Sequence, residues 1–271
     1  MLLTKFHIAQ LAKCYRVTEK EILILLGSII EKDYTSLFFE KNFQITDADL
    51  QILLKYIERV ALGEPISKII QQKEFYGIKF KTCSDTLDPR PETELIVDLF
   101  MKYFPDKTGH YEIMDLGAGT GCIGLSILSY YKNSVCLFID IDDKALAVAQ
   151  HNANALTLVK LCKFQKSDWV SEVVGEYDAI VSNPPYIADD YELPAEVLFD
   201  PRIALISGKD GMDAHSTILS TAHLFLKKNG ILFLEIGYDQ REKIEKVNTK
   251  LKVVEVVKDI NRVDRIFVFS R

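Results

Sequence analysis

Glu112-Ile113-Met114-Asp115-Leu116-Gly117-Ala118-Gly119-Thr120-Gly121-Cys122-Ile123 decides the fold. Ile113 to Leu116 reads as a strand, glycines follow at alternate positions, and Ile123 to Leu128 supplies the apolar face of a helix. A strand that enters a helix through a glycine turn is the first half of a βαβ unit. Downstream the alternation continues: Val135 to Ile139, Lys144 to Ala155, Val159 to Phe164, Ala179 to Val181, His215 to Leu226 and Ile231 to Ile236. Strands and helices in alternation build a parallel sheet with helices on both faces. Leu251 to Val257 and Arg265 to Phe269 are separated by too few residues for a helix, which predicts an antiparallel terminal pair.

Upstream the periodicity is helical. Thr18-Glu19-Lys20-Glu21 is a capping box before Ile22, Leu25, Leu26, Ile29 and Ile30. Thr46-Asp47-Ala48-Asp49 caps a second run, Leu50 to Val60. Gly63 can close that helix and Pro65 cannot continue it, which places a domain boundary there. Glu74 to Phe80, strand-like around Gly77, predicts a hairpin between two domains. In Leu87-Asp88-Pro89-Arg90-Pro91-Glu92-Thr93-Glu94, Pro91 stands where a first helical turn tolerates it and acids follow at the positive end of the helix dipole. Local pattern makes this octapeptide a linker and helix start.

The glycine loop predicts a ligand at the carboxyl ends of the strands. Gly119-x-Gly121-x-x-Gly124 matches a dinucleotide fingerprint, and Asp140 lies at about the ~20-residue spacing of a ribose-binding acid. The acid at the start of the loop, Asp115, and the alternate Gly117, Gly119 and Gly121 suit a cofactor with a cationic amino-acid end, such as S-adenosylmethionine. Asp140 serves the ribose hydroxyls in either case. Ser167-Asp168-Trp169 follows the third strand, where Trp169 fits either an adenine or the core.

Ser182-Asn183-Pro184-Pro185-Tyr186 ends the fourth strand as a stiff arch, because neither proline donates a backbone hydrogen bond and each biases its predecessor to extended backbone. In isolation it is compatible with a proline-rich turn or with an acceptor site for a planar amide or amine. In the second reading, the Asn183 side-chain oxygen and the Pro184 carbonyl accept the two hydrogens and Tyr186 packs on the plane. Arch and glycine loop converge on one crevice, which favours the acceptor site.

Net charge is −6, unevenly placed: residues 1–84 hold 12 basic and 10 acidic residues, and residues 85–271 hold 21 and 29. The larger part is therefore the acidic one, the sign opposite to a nucleic-acid-wrapping surface. Asp189, Asp190, Glu192, Glu196 and Asp200 after the arch would repel phosphates. The cysteines (Cys14, Cys83, Cys122, Cys136, Cys162) include no Cys-x-x-Cys pair, arguing against a disulfide framework and a structural zinc site. No signal-peptide h-region is visible, and Ile22 to Ile30 is too short to span a bilayer, so the expected location is the cytoplasm.

Together these residues resemble the class I S-adenosylmethionine-dependent methyltransferases, and more narrowly the HemK/PrmC family of release factor glutamine methyltransferases, over nearly the whole chain. The Asn-Pro-Pro-Tyr motif alone is shared with adenine and cytosine amino-methyltransferases of DNA or RNA. The helical N-terminal part, Pro89 to Glu94, and Asp115 to Ile123 narrow the match. Asp88 stands where the family has an aliphatic residue, and Gln71-Gln72 where a glycine is usual.

The resemblance implies a doubly wound, mostly parallel seven-stranded α/β sheet of Rossmann-like type over residues 91–271. It implies a helical bundle at 1–64 that binds the release factor, and a hairpin linker at 65–90. It implies methylation of the side-chain amide nitrogen of the glutamine in the Gly-Gly-Gln motif of class-1 peptide chain release factors, with S-adenosylhomocysteine as product. The chain is expected to be a monomer without metal, direct nucleic-acid or membrane contact. Asn183, Pro184 and Tyr186 are the expected catalytic residues, and Asn183, Pro184, Pro185 and Tyr186 bind substrate. Asp115, Gly117, Ala118, Gly119, Thr120, Gly121, Asp140, Asp168, Trp169 and Asn183 hold the cofactor. The competing readings are a DNA or RNA amino-methyltransferase, which the acidic surface disfavours, and a noncatalytic S-adenosylmethionine-binding module, which the intact motif disfavours. An NAD-dependent dehydrogenase would need a catalytic His or Lys near the crevice, and none is visible.

Overall fold

The computed structural model describes residues 2–271; Met1 and the side chain of Glu196 lie outside the described residues. The chain forms two compact units: the stretch to Gln72 together with Pro194–Phe199, and Lys73–Leu193 together with Asp200–Arg271.

The first unit is built from β1 (Leu2–Thr4), α1 (Lys5–Tyr15), α2 (Glu19–Ile30), α3 (Tyr34–Phe39), β2 (Asn42–Gln44), α4 (Asp47–Ala61) and α5 (Ile66–Ile70). Both expected capping boxes form: Glu21 N–H donates to Thr18 Oγ1 at 3.1 Å, and Asp49 N–H to Thr46 Oγ1 at 3.1 Å. Ile22, Leu25 and Leu26 of α2 pack with Leu53 and Ile57 of α4 in the unit's core. Two features differ from expectation. β1 and β2 pair antiparallel, each too short to show a period. Pro65 also starts a helix, its carbonyl accepting from Lys68 N–H at 3.0 Å, and that helix buries Ile69 in the helical core. Residues 65–72 therefore go with the first unit, and the expected linker is shortened to the stretch from Lys73.

The hairpin of β3 (Gln72–Phe75) and β4 (Ile78–Lys81) follows, and all of it but Gln72 belongs to the second unit. Tyr76 (φ 52°) and Gly77 (φ 70°) form its turn, the left-handed pair that matches strand twist. There follow α6 (Glu94–Tyr103), β5 (Glu112–Leu116), α7 (Cys122–Tyr130), β6 (Val135–Asp140), α8 (Asp143–Ala155), β7 (Cys162–Lys166), β8 (Tyr177–Ser182), α9 (Asp213–Thr221), β9 (Leu226–Glu235), α10 (Arg241–Glu245), β10 (Lys252–Lys258) and β11 (Asp264–Ser270). The 159–164 stretch divides, with a 3₁₀ turn at Val159–Leu161 ahead of β7.

The seven strands run β10-β11-β9-β8-β5-β6-β7, parallel from β9 to β7, while β11 is antiparallel to both neighbours. The expected doubly wound sheet and antiparallel terminal pair are both present. From β5 the chain winds to β6 and β7 on one side, then crosses to β8 and β9 on the other. That reversal opens a crevice at the carboxyl ends of β5 and β8.

Period-two alternation covers both faces. Ile113, Ala179, Val181 and Phe233 join the core that contains Phe100 and Leu128 of α6 and α7; Met114, Leu116, Ile180 and Leu234 join the core that contains Ile218 and Leu219 of α9. Gly124 sets the spacing between α7 and the sheet, since a Cβ there would meet Phe138 Cε1 at 2.6 Å. The third glycine of the fingerprint thus answers to packing, and its presence does not discriminate between cofactors. Asp88 is buried, and its Oδ1 accepts the Thr82 hydroxyl at 2.7 Å, so a carboxylate is accommodated where the resemblance predicts an aliphatic side chain.

Candidate active site

The glycine loop is tied down at the end of β6. Gly117 and Ala118 N–H both donate to Ile139 O (2.9 and 2.8 Å), and Gly119 N–H donates to Asp140 Oδ2 at 2.9 Å. Gly117 and Gly119 sit at φ 75° and 55°, backbone that a side chain adopts only with strain. Asp140 Oδ1 accepts Asp142 N–H at 3.0 Å, and burial raises the carboxyl pKa above the usual range. Both oxygens accept backbone N–H groups, and a carboxylate's remaining lone pairs are left for hydroxyl groups.

Beside the loop lies a cavity of about 340 Å³. Of the expected residues, Gly117, Ala118, Gly119, Thr120, Asp140, Asp168, Trp169, Asn183 and Pro185 line it. Trp169 Cζ3 stands 3.8 Å from where a Gly117 Cβ would be. Cys122 also lines the cavity, but burial pushes its thiol up to about 12 and leaves no thiolate nucleophile.

Asp115, Gly121, Pro184 and Tyr186 are not in the lining. Asp115 shares the sheet face of Ile113, so its carboxylate turns under α7 and accepts Gly124 N–H at 2.9 Å, with the residue 1% exposed. The expectation that it faces a cationic cofactor end is corrected: the carboxylate holds the helix start instead. Gly121 (φ 75°) caps α7, where a Cβ would come within 3.1 Å of Ala149 Cβ. Pro184, within the arch, is buried. Tyr186 is held by its backbone, its N–H donating to Leu205 O at 3.2 Å and its carbonyl accepting Gln240 Nε2 at 3.1 Å; burial pushes its phenol up to about 12.

Asp115 has a consequence for stability. Burial pushes its carboxyl up to about 7, against an ordinary 3.8. The folded state therefore holds a proton that the unfolded chain has released, and this contribution to stability is lost as pH rises through the folded value. Asp115→Asn keeps an acceptor for Gly124 N–H without the charge. It should raise stability at pH 8 by roughly 1–3 kcal/mol and reduce the loss between pH 5 and 8. Thermal unfolding at both pH values checks this; equal destabilisation at both would be wrong for a buried charge.

The arch is joined to groups that sequence reading left unassigned. Asn183 Nδ2 donates to Thr93 Oγ1 at 3.0 Å, and Thr93 Oγ1 donates to Glu235 Oε2 at 2.6 Å. Asn183 Oδ1 is buried without a hydrogen-bond partner. Burial pushes Glu235 up to about 7, moderated by the Thr93 hydroxyl and the Arg265 charge. Its signal was a lone acid closing the apolar run of β9. Arg90 Nη2 and Asp200 Oδ2 pair at 2.6 Å, and Asp200 Oδ1 accepts Asp88 N–H at 3.2 Å. Asp200 thus leaves the expected acidic surface, where Asp189, Asp190 and Glu192 remain exposed; the Glu196 side chain lies outside the described residues. Among the described residues no cluster of three or more His, Cys, Asp or Glu could hold a metal, and no helix is long and apolar enough to cross a membrane.

A doubly wound sheet with a glycine loop, a strand-end acid and an Asn-Pro-Pro-Tyr arch at its switch point defines a class I S-adenosylmethionine-dependent methyltransferase. A family model for the methyltransferase small domain matches residues 92–199. The release factor glutamine methyltransferase of Coxiella burnetii is 35% identical over 89% of this chain and 87% of its own, and that of Caulobacter vibrioides 37% identical over 82% and 79%. A solved methyltransferase from Pyrococcus furiosus has the same fold, with TM-score 0.54 at 16% identity over 83% of this chain and 98% of that one. The chain belongs to the release factor glutamine methyltransferase family.

Proposed function

We propose that this protein transfers the methyl group of S-adenosylmethionine to the side-chain amide nitrogen of the glutamine in the Gly-Gly-Gln motif of class-1 peptide chain release factors. The observation that carries the reading is Asn183 Oδ1, a buried acceptor with no partner beside the cavity. A buried acceptor left unpaired costs about 1–3 kcal/mol, and a substrate N–H removes that cost.

The cofactor's fit rests on the glycine cradle at Gly117 to Gly119, the Asp140 carboxylate and the Trp169 ring, all on one cavity. Bound there, it supplies an electrophilic methyl group on a sulfonium and leaves as S-adenosylhomocysteine. Asp140 is assigned to the ribose hydroxyls, Asp168 and Trp169 to the adenine. An amide nitrogen is a poor nucleophile because its lone pair is delocalised into the carbonyl. Asn183 Oδ1 and the Pro184 carbonyl are assigned the two N–H bonds and Tyr186 the amide plane, so that the nitrogen is oriented by its own hydrogens; since only Asn183 of the three lines the cavity, the Pro184 and Tyr186 contacts require the arch to adjust as substrate enters. Leu205 and Gln240 anchor the Tyr186 backbone.

The helical unit is assigned to docking the release factor, with Phe39 (78% exposed) and Leu62 (83%) as apolar contacts. The enzyme is proposed to act as a cytoplasmic monomer, on free protein and without nucleic acid. Incubation with labelled S-adenosylmethionine and either a purified class-1 release factor or an oligonucleotide, read by mass spectrometry, tests the substrate class. Methylglutamine in the factor is expected. Methyladenine or methylcytosine in the oligonucleotide, with none in the factor, would make the enzyme a nucleic-acid amino-methyltransferase.

A further inference from the structure

The polar contacts behind Asn183 form a chain with a direction. Glu235, at the end of β9 and 1% exposed, accepts a hydrogen bond from the Thr93 hydroxyl at 2.6 Å; the Thr93 oxygen accepts one from Asn183 Nδ2 at 3.0 Å. An asparagine amide has an acceptor end and a donor end of nearly equal size. A lone hydroxyl, which both donates and accepts, satisfies either end equally. With Glu235 ionised, the Thr93 hydroxyl proton is committed to it and the Thr93 oxygen can only accept, so it selects the NH2 end. What remains unpaired is the oxygen, a buried atom without a partner on a residue that lines the cavity.

We propose that Thr93 and Glu235 are positioning residues for methyl transfer, which fix the Asn183 amide so that its oxygen, and not its NH2, meets the substrate nitrogen. The proposal rests on the reading that Asn183 Oδ1 accepts a hydrogen of the target amide. A flipped Asn183 would set donor against donor at the reacting nitrogen and misdirect the group it should hold. Glu235 does not line the cavity and acts only through Thr93. Thr93 lines the cavity, is 2% exposed, and joins the 3₁₀ turn Pro91–Thr93 to Asn183 just beyond β8 and to Glu235 at the end of β9, so the fold holds it in place.

Thr93→Val preserves shape and removes the hydroxyl. It should lower kcat by about tenfold, the scale of one well-placed hydrogen bond. Calorimetric affinity for S-adenosylmethionine should stay within about twofold. Thr93→Ser, which retains the hydroxyl, should keep kcat within about threefold of the parent. In an Asn183→Ala background, Thr93→Val should change single-turnover rates by less than about twofold, because the residue through which it acts is gone. Wild-type kcat in Thr93→Val overturns the proposal. So does an equal loss from Thr93→Val with and without Asn183, or a loss in Thr93→Ser as large as in Thr93→Val. Wild-type kcat in Asn183→Ala alone overturns the underlying amide-clamp reading instead, so the two failures are distinguishable.

Discussion

Asn183→Ala is expected to lower turnover by about 10²–10³, the scale seen when one preorganised polar contact is removed from an active site. The fold should survive. The substitution deletes an acceptor that the protein leaves buried and unpaired, which relieves a cost, and it deprives Thr93 Oγ1 of one donor, which adds a smaller one. Stability should therefore change by less than about 1 kcal/mol. A large loss of activity beside a small change in stability is the pattern of a group held in an unfavourable state for the sake of its ligand. The same contact can be removed from the substrate side: a release factor with glutamate in place of its target glutamine offers no N–H and brings a charge against two acceptors. That factor should go unmethylated. Its methylation at a normal rate, or near-normal turnover by Asn183→Ala on the natural factor, would mean that the amide-clamp mechanism is wrong while the family assignment stands.

The parts of the fold that were legible in the sequence are those set by local chemistry. Thr18 and Thr46 announce helix starts because a capping box is a contact between residues three apart, and both boxes form. The βαβ pattern from Glu112 onward, the hairpin at Gly77 and the antiparallel end were visible in the same way. The short pairing of Leu2–Thr4 with Asn42–Gln44 was not, because three-residue strands carry no period and their pairing joins distant segments. Pro65 was read only as a helix stop, although proline also suits a helix entrance; the burial of Ile69 decides between the two. At the site, residue types near the switch point were readable, while the direction of each side chain was not. Asp115 is one position from Leu116, yet the strand pleat turns it under α7 and away from the cavity. The Asn183-Thr93-Glu235 chain joins residues 90 and 142 positions apart, beyond any local pattern.

Asp140→Ala should weaken S-adenosylmethionine binding more than any other single change in the cofactor loop, because one carboxylate serves two purposes. It accepts Gly119 N–H and Asp142 N–H at 2.9 and 3.0 Å, which fixes the loop against the end of β6, and it is assigned to the ribose hydroxyls. Hydrogen bonds to a charged group contribute about 1.5–3 kcal/mol each, so losing the ribose contacts alone should raise Kd by at least about 10²-fold. Asp140→Asn keeps one acceptor oxygen and should fall between the two. Protonation acts in the same direction as mutation, since a neutral carboxyl gives up part of its acceptor capacity. Burial raises the pKa of this group, so affinity should begin to fall, on acidification, at a higher pH than for an ordinary aspartate. Calorimetric titration of wild type, Asp140→Asn and Asp140→Ala across that range provides the test. Unchanged affinity in Asp140→Ala, with an intact circular dichroism spectrum, would remove Asp140 from the cofactor site and leave it only the backbone contacts that hold the glycine loop.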